Sequence, residues 1–204
     1  PYRLLLLNGV ACCMVGVGLF NAGQWTSHAE QALYRDQLVH LETSRFQHAV
    51  VTQSPAGQVS LYINGHLQFS EQDEYIYHEN LVHPVMAAAA SRERVLVLGG
   101  GDGLAVREVL KYADVREVTL CDLDPMIVEL AQTHPSLRAL NGGSLHNARV
   151  VQVPNQALLE SEASDLWEPN QKALGRRVQA HVGRVQVLNL DAMKFLEQFS
   201  RLYD

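Results

Sequence analysis

Apolar and polar residues change rhythm several times along this chain, and each change predicts a different kind of element. From Leu4 to Ser27 there is no formally charged residue, and Leu, Val, Gly, Cys and Phe dominate Leu4 to Phe20. A run of that length can cross a bilayer, with Trp25 as an interfacial aromatic and Glu30 and Arg35 as the first charges beyond it. The same run, with Arg3 ahead of it and Asn21-Ala-Gly or Ser27-His-Ala behind it, also fits a secretory signal with a poor cleavage site. The expectation is a transmembrane helix over 1–27, the last of several spans because the chain begins at Pro1, followed by a linker over 28–43. Phe46 to Thr52 and Val59 to Ile63 are rich in β-branched residues and are separated by Ser54-Pro-Ala-Gly57. Asn64-Gly65 then leads into His66 to Phe69, a tight-hairpin signature. Glu74 to Ala90 turns helical, with Pro84 expected to kink or interrupt it. Residues 44–90 therefore read as a small antiparallel domain with a connecting helix.

A second rhythm starts at Val95. Val95-Leu-Val-Leu98 lacks polar alternation, as in strands buried on both faces of a parallel sheet. It opens into Gly99-Gly-Gly-Asp-Gly103 and a helix from Leu104 to Lys111. Val118-Thr-Leu-Cys-Asp122 is the next such strand, and Pro125 starts a helix to about Thr133. Arg149-Val-Val-Gln-Val and Arg184-Val-Gln-Val-Leu are near copies, and either can be the following strand. Spacing along the chain suits the first copy, whereas only the second leads to an acid, Asp191-Ala192. The polar stretch between them, near 154–182, reads as an insertion. Met193 to Phe199 looks helical, and Leu202-Tyr-Asp204 looks like the start of one more strand. The fold class expected is α/β: a Rossmann-like, methyltransferase-type parallel sheet over 91–204, preceded by the hairpin domain and the membrane helix.

The glycine turn carries the chemistry. Glycines let the backbone lie close to a ligand, but a dinucleotide site offers a helix N-terminus to a pyrophosphate, and Asp102 would repel it. The position suits a cationic ligand. Asp122, about 20 residues on at a strand's carboxyl end, suits ribose hydroxyls. Either acid could instead cap a helix, as could Asp124. The formal net charge of −6 argues against a nucleic-acid groove. The three cysteines, Cys12, Cys13 and Cys121, form neither a zinc spacing nor a disulfide framework, so no metal ligand set is expected.

In order, Phe46-Gln47, Leu61-Tyr-Ile-Asn-Gly65, Gln68, Asp73-Glu-Tyr-Ile-Tyr-His-Glu79, Gly99 to Gly103, Arg107-Glu-Val-Leu110, Cys121-Asp-Leu-Asp124 and Asp191-Ala192 resemble the polyamine aminopropyltransferases, the spermidine synthases. The apolar N-terminus is similar to the final helix of their membrane-bound bacterial branch. The resemblance implies transfer of the aminopropyl group of decarboxylated S-adenosylmethionine to putrescine, giving spermidine and methylthioadenosine. It implies no permanently bound cofactor, with the decarboxylated compound as co-substrate. It assigns Asp102 to the ammonium, Asp122 to the ribose, Asp191 and the Ala192 backbone to the adenine, Gln47 to the nucleoside, and Tyr77 and His78 to the polyamine and aminopropyl end. Gly99, Gly100, Gly101 and Gly103 form the loop around the donor. The family's base is an aspartate after a strand beginning Tyr-Asp, so here it is expected beyond Asp204, and the 204 residues alone are expected to be inactive. Asn64 departs from the Asp of many soluble members.

The resemblance also implies a lipid bilayer as partner, a domain on the cytoplasmic side of the bacterial inner membrane, and no nucleic acid; it leaves homo-oligomerisation open. The rival readings are a methyltransferase using intact S-adenosylmethionine and a non-catalytic nucleoside-binding membrane protein.

Overall fold

The computed structural model describes residues 2–146, 149–152 and 185–199. The expected insertion near 154–182 and the expected strand at Leu202 to Asp204 lie outside the described residues.

Helix α1 covers Tyr2–Gln31, extending well past the apolar run. Among the described residues no helix is long and apolar enough to cross a membrane. This overturns the expected span over 1–27 and the inner-membrane placement, and leaves the bilayer as partner without support. The run is interrupted by Asn8 and Asn21 and by Gly9, Gly16, Gly18 and Gly23, which bring little hydrophobic surface of their own. Several of its described apolar side chains, such as Met14, Val17 and Phe20, remain exposed.

The expected linker is ordered structure. Gln31 at the end of α1 donates from Nε2 to Asp36 O at 2.9 Å and accepts from Leu38 N at 2.8 Å. Strand β1, Gln37–Thr43, follows at once. It pairs antiparallel with β2, His48–Gln53, which pairs with β3, Val59–Ile63, which pairs with β4, His66–Ser70. The antiparallel unit thus has four strands in chain order. Asn64 and Gly65, both at positive φ (51° and 80°), turn β3 into β4 as the Asn-Gly pair predicts. Helix α2, Glu74–Ala88, runs through Pro84 without ending there.

The parallel sheet contains β5 (Arg94–Leu98), β6 (Glu117–Asp122), β7 (Arg149–Gln152) and β8 (Val185–Asn189), in the order β5-β6-β8-β7. Both Arg-Val copies are therefore strands. The second, β8, lies beside β6, with Val118 opposite Val185 and Asp122 opposite Asn189, and the first pairs on its outer side. Helices α3 (Leu104–Val109), α4 (Pro125–Thr133), α5 (Pro135–Leu140) and α6 (Ala192–Phe199) complete the described elements.

Two buried clusters hold these layers. One joins α2 to α3, α4 and the parallel sheet through Val82, Met86, Val106, Val128, Leu120 and Val187. The other packs Val51, Leu61 and Phe69 of the antiparallel sheet on Leu104, Ile127, Leu130 and Leu137 of α3, α4 and α5. The antiparallel sheet is thereby seated against the helices that begin at the carboxyl ends of β5 and β6. In an open α/β sheet those ends are where ligands bind.

Candidate functional site

The turn after β5 is held from both sides. Gly99 N donates to Cys121 O at 2.8 Å, carrying the β5–β6 ladder into the turn. Gly99, Gly100 and Gly103 have φ of 76°, 77° and 80°, a region costly for other residues. Gly101 is required for space instead: a Cβ there would lie 2.9 Å from the Asp122 carboxylate. Its N–H donates to Asp122 Oδ2 at 2.8 Å. Leu104 N donates to Asp102 Oδ1 at 2.8 Å, and Gly103 N to Gly100 O at 3.0 Å. The amides of Gly99, Gly101, Gly103 and Leu104 are thus occupied by the protein's own acceptors.

What the turn offers instead is negative charge. Burial, more than any neighbour, raises the pKa of the half-buried Asp102 above its ordinary value; the Asp122 and Glu74 carboxylates add to the rise, while the Leu104 amide and His78 oppose it. Burial likewise raises Asp122, assisted by Asp124 and opposed by the amides of Asp124 and Gly101. A cation between these acids would favour their ionised forms.

Asp122 accepts from Asp124 N on its other oxygen, at 2.9 Å. Asp124, fully buried, caps α4 by accepting from Met126 N at 3.0 Å. Its second oxygen accepts from Ser44 Oγ at 2.6 Å. Ser44 Oγ in turn accepts from the amides of Phe46 and Gln47, at 2.9 and 3.0 Å. The β1–β2 turn carrying Gln47 is therefore pinned beside the glycine turn, and Gln47 Oε1 is buried without a hydrogen-bond partner. An orphaned buried acceptor calls for a ligand or water donor.

At the end of β8, Leu190 N donates to Asp122 O at 3.0 Å. This places Asp191 next along the sheet edge, where its Oδ1 accepts from Met193 N and Lys194 N at 3.0 and 3.1 Å and caps α6, with Ala192 as the first helical residue. Of the two Arg-Val copies, the second is the one whose strand adjoins Asp122. Burial, with Asp122 and Asp191, pushes the Cys121 thiol up to about 12, so it is inert at neutral pH.

On α2, Tyr77 is 65% exposed and meets the site through a T-shaped contact with the His78 ring at 5.1 Å. His78 is buried, its Nδ1 2.8 Å from both Glu74 O and Glu74 Oε2. Glu74 is gripped by Arg107, whose Nη1 and Nη2 lie 2.8 and 3.1 Å from the two carboxylate oxygens. Arg107 Nε also donates to Glu108 Oε1 at 2.8 Å. Glu79, His83 and Glu108 are close enough to share a metal ion. The Lys111 ammonium is already paired there with Glu108 and Glu79, so the cation position is filled by the protein.

Asp102, Asp122, Asp191 and the glycines are thus brought together at the carboxyl ends of the parallel strands, with Gln47 and His78 anchored next to them and Tyr77 exposed beside His78. Sequence reasoning missed the supports: Ser44 behind Gln47, and Glu74 with Arg107 behind His78. The four-residue spacing of Glu74 and His78 on one helical face was a readable signal. The 33-residue separation of Glu74 and Arg107 carried none.

A family model described as the spermine/spermidine synthase domain matches residues 74–156. A polyamine aminopropyltransferase of Oceanobacillus iheyensis is 39% identical over 199 residues, which are 98% of this chain and 32% of that protein. Polyamine aminopropyltransferase 1 of Streptomyces coelicolor is 47% identical over 150 residues, 71% of this chain and 28% of that one. The chain thus spans about a third of the length of these curated relatives. A crystal structure of spermidine synthase in complex with the transition-state analogue AdoDATO has a TM-score of 0.59, covering 82% of this chain and 46% of that one at 23% identity, a likeness of fold.

Proposed function

We propose, since residues 74–156 match the spermine/spermidine synthase domain model, that the chain binds the donor in a polyamine aminopropyltransferase reaction. The aminopropyl group of decarboxylated S-adenosylmethionine would pass to putrescine, giving spermidine and methylthioadenosine. The membrane-bound branch of the family has no support in the fold. One observation carries the reading: the turn amides at Gly101 and Leu104 are taken by Asp122 and Asp102, so the turn presents carboxylates where a phosphate binder presents free N–H groups.

The chemistry follows from charge. Decarboxylated S-adenosylmethionine ends in an ammonium, whereas S-adenosylmethionine also has a carboxylate, which Asp102 would repel. Asp122 keeps lone pairs for ribose hydroxyls beyond the two amides it accepts. Asp191 and the Ala192 backbone would read the adenine, and Gln47 would offer its unpartnered oxygen. In the reaction the amine nitrogen of putrescine forms a bond to the carbon beside the sulfonium. The carbon–sulfur bond breaks, sulfur takes the electron pair as a thioether, and the attacking amine yields a proton to a base. Putrescine must arrive as the free amine, so the site's work is positioning and proton removal.

Calorimetric titration of the full chain tests the reading. Decarboxylated S-adenosylmethionine is expected to bind at least about tenfold more tightly than the intact compound, the effect of one favourable charge contact replacing a repulsive one. Preference for intact S-adenosylmethionine would instead favour a methyltransferase, and no binding of either would sink both.

A further inference from the structure

Why the buried Glu74–Arg107 pair exists is not explained by packing. Helices α2 and α3 already meet through Val82, Met86, Ala105, Val106 and Val109. Burying a carboxylate, a guanidinium and an imidazole together is weak as a stabilising device compared with apolar residues of similar volume. The arrangement does one thing that apolar residues could not: it dictates where the hydrogen sits on His78.

Nδ1 of His78 is 2.8 Å from two oxygens, the Glu74 carbonyl and Glu74 Oε2. Both are acceptors, so Nδ1 must be the N–H. In a neutral ring this leaves Nε2 as a bare acceptor. Glu74 cannot swing away, because Arg107 holds both of its oxygens. Arg107 is itself fixed by Glu108 Oε1 and by Leu140 O at the end of α5, each at 2.8 Å. His78 is close enough to Asp102 to act on its carboxyl.

We propose that Glu74, locked by Arg107, is a positioning residue that fixes the Nδ1–H tautomer of His78, so that Nε2 of the neutral ring is an acceptor for the primary ammonium that Asp102 pairs with. This rests on the aminopropyltransferase reading and sharpens it. An ammonium has three hydrogens to place, and a carboxylate alone does not orient it. A carboxylate and an imidazole lone pair together fix two of its N–H directions and so aim the aminopropyl chain. A ring carrying its proton on Nε2 would point a donor at a donor.

Nitrogen NMR of the full chain with 15N-labelled histidine tests this before any ligand is added. The neutral His78 ring is expected to show a protonated Nδ1 and a bare Nε2; a protonated Nε2 overturns the proposal. Adding decarboxylated S-adenosylmethionine should shift Nε2, whereas methylthioadenosine, which lacks the ammonium, should not. Glu74→Gln and Arg107→Lys are expected to weaken the decarboxylated compound roughly tenfold and leave methylthioadenosine within about twofold, the scale of one charged hydrogen bond. Equal loss of both ligands, or of neither, counts against the role. If a variant fails to fold, the tautomer of the unaltered chain still decides. A chain that binds no donor defeats the aminopropyl reading, while an Nε2–H ring defeats this one, so the two failures are separable.

Discussion

Replacing Asp102 by Asn should separate the cost of a buried charge from its use. The substitution is nearly isosteric, and its amide oxygen can still accept from Leu104 N as Asp102 Oδ1 does at 2.8 Å, so the start of α3 survives. The pKa of Asp102 is raised in the fold, by burial first and by Asp122 and Glu74 next. The unfolded chain therefore ionises this group at lower pH than the native one. The charge is a stability cost that grows as pH rises from the ordinary carboxylate value and is complete above the raised value. Asp102→Asn removes that cost, so at neutral pH the ligand-free variant should melt at or above the temperature of the parent. Donor binding should move the opposite way. Losing a charge-assisted hydrogen bond to the ammonium costs about 2 kcal/mol, roughly thirtyfold in affinity. In the parent, binding should weaken as pH falls through the raised Asp102 value, and this dependence should flatten in the variant. Scanning calorimetry of the free protein and titration with decarboxylated S-adenosylmethionine at several pH values measure both. A variant that is less stable yet binds the donor as the parent does would refute the reasoning, because Asp102 would then be a helix cap and nothing more.

Gly101→Ala should lower stability by about 1–3 kcal/mol through overpacking, since the new Cβ would sit 2.9 Å from the Asp122 carboxylate and 3.2 Å from Ile127 Cγ2. Because it also displaces the acid assigned to ribose, nucleoside affinity measured with methylthioadenosine should fall even where the variant remains folded; unchanged affinity would remove Asp122 from the site. Ser44→Ala leaves the buried Asp124 without its 2.6 Å donor, a loss of about 1–3 kcal/mol in a denaturant titration. It should also weaken methylthioadenosine by freeing the Gln47 turn, and full retention of affinity would show that Gln47 is placed without this clasp.

What the sequence made legible was faces and turns, because period and glycine placement are local. Val95 to Gly103 gave both a buried strand and its sharp exit, and Asn64-Gly65 gave a hairpin. What it could not make legible was which surfaces meet. Both Arg-Val copies have the same strand pattern, and only their pairing with β6 distinguishes them: β8 lies against Asp122 and β7 lies outside it. The uncharged N-terminal run likewise showed a helix-length stretch without charge, which is not by itself a span. The supports at Ser44–Asp124 and Glu74–Arg107 join residues 80 and 33 positions apart, beyond any periodic signal. The same geometry alters how the acids should be weighed. Capping and ligand binding looked like competing explanations for Asp102 and Asp122, but a carboxylate has about four lone-pair directions. Asp102 uses one for Leu104, and Asp122 uses two for Gly101 and Asp124. Those bonds fix where the remaining lone pairs point, so in this turn capping and the proposed cation binding are compatible roles for one carboxylate.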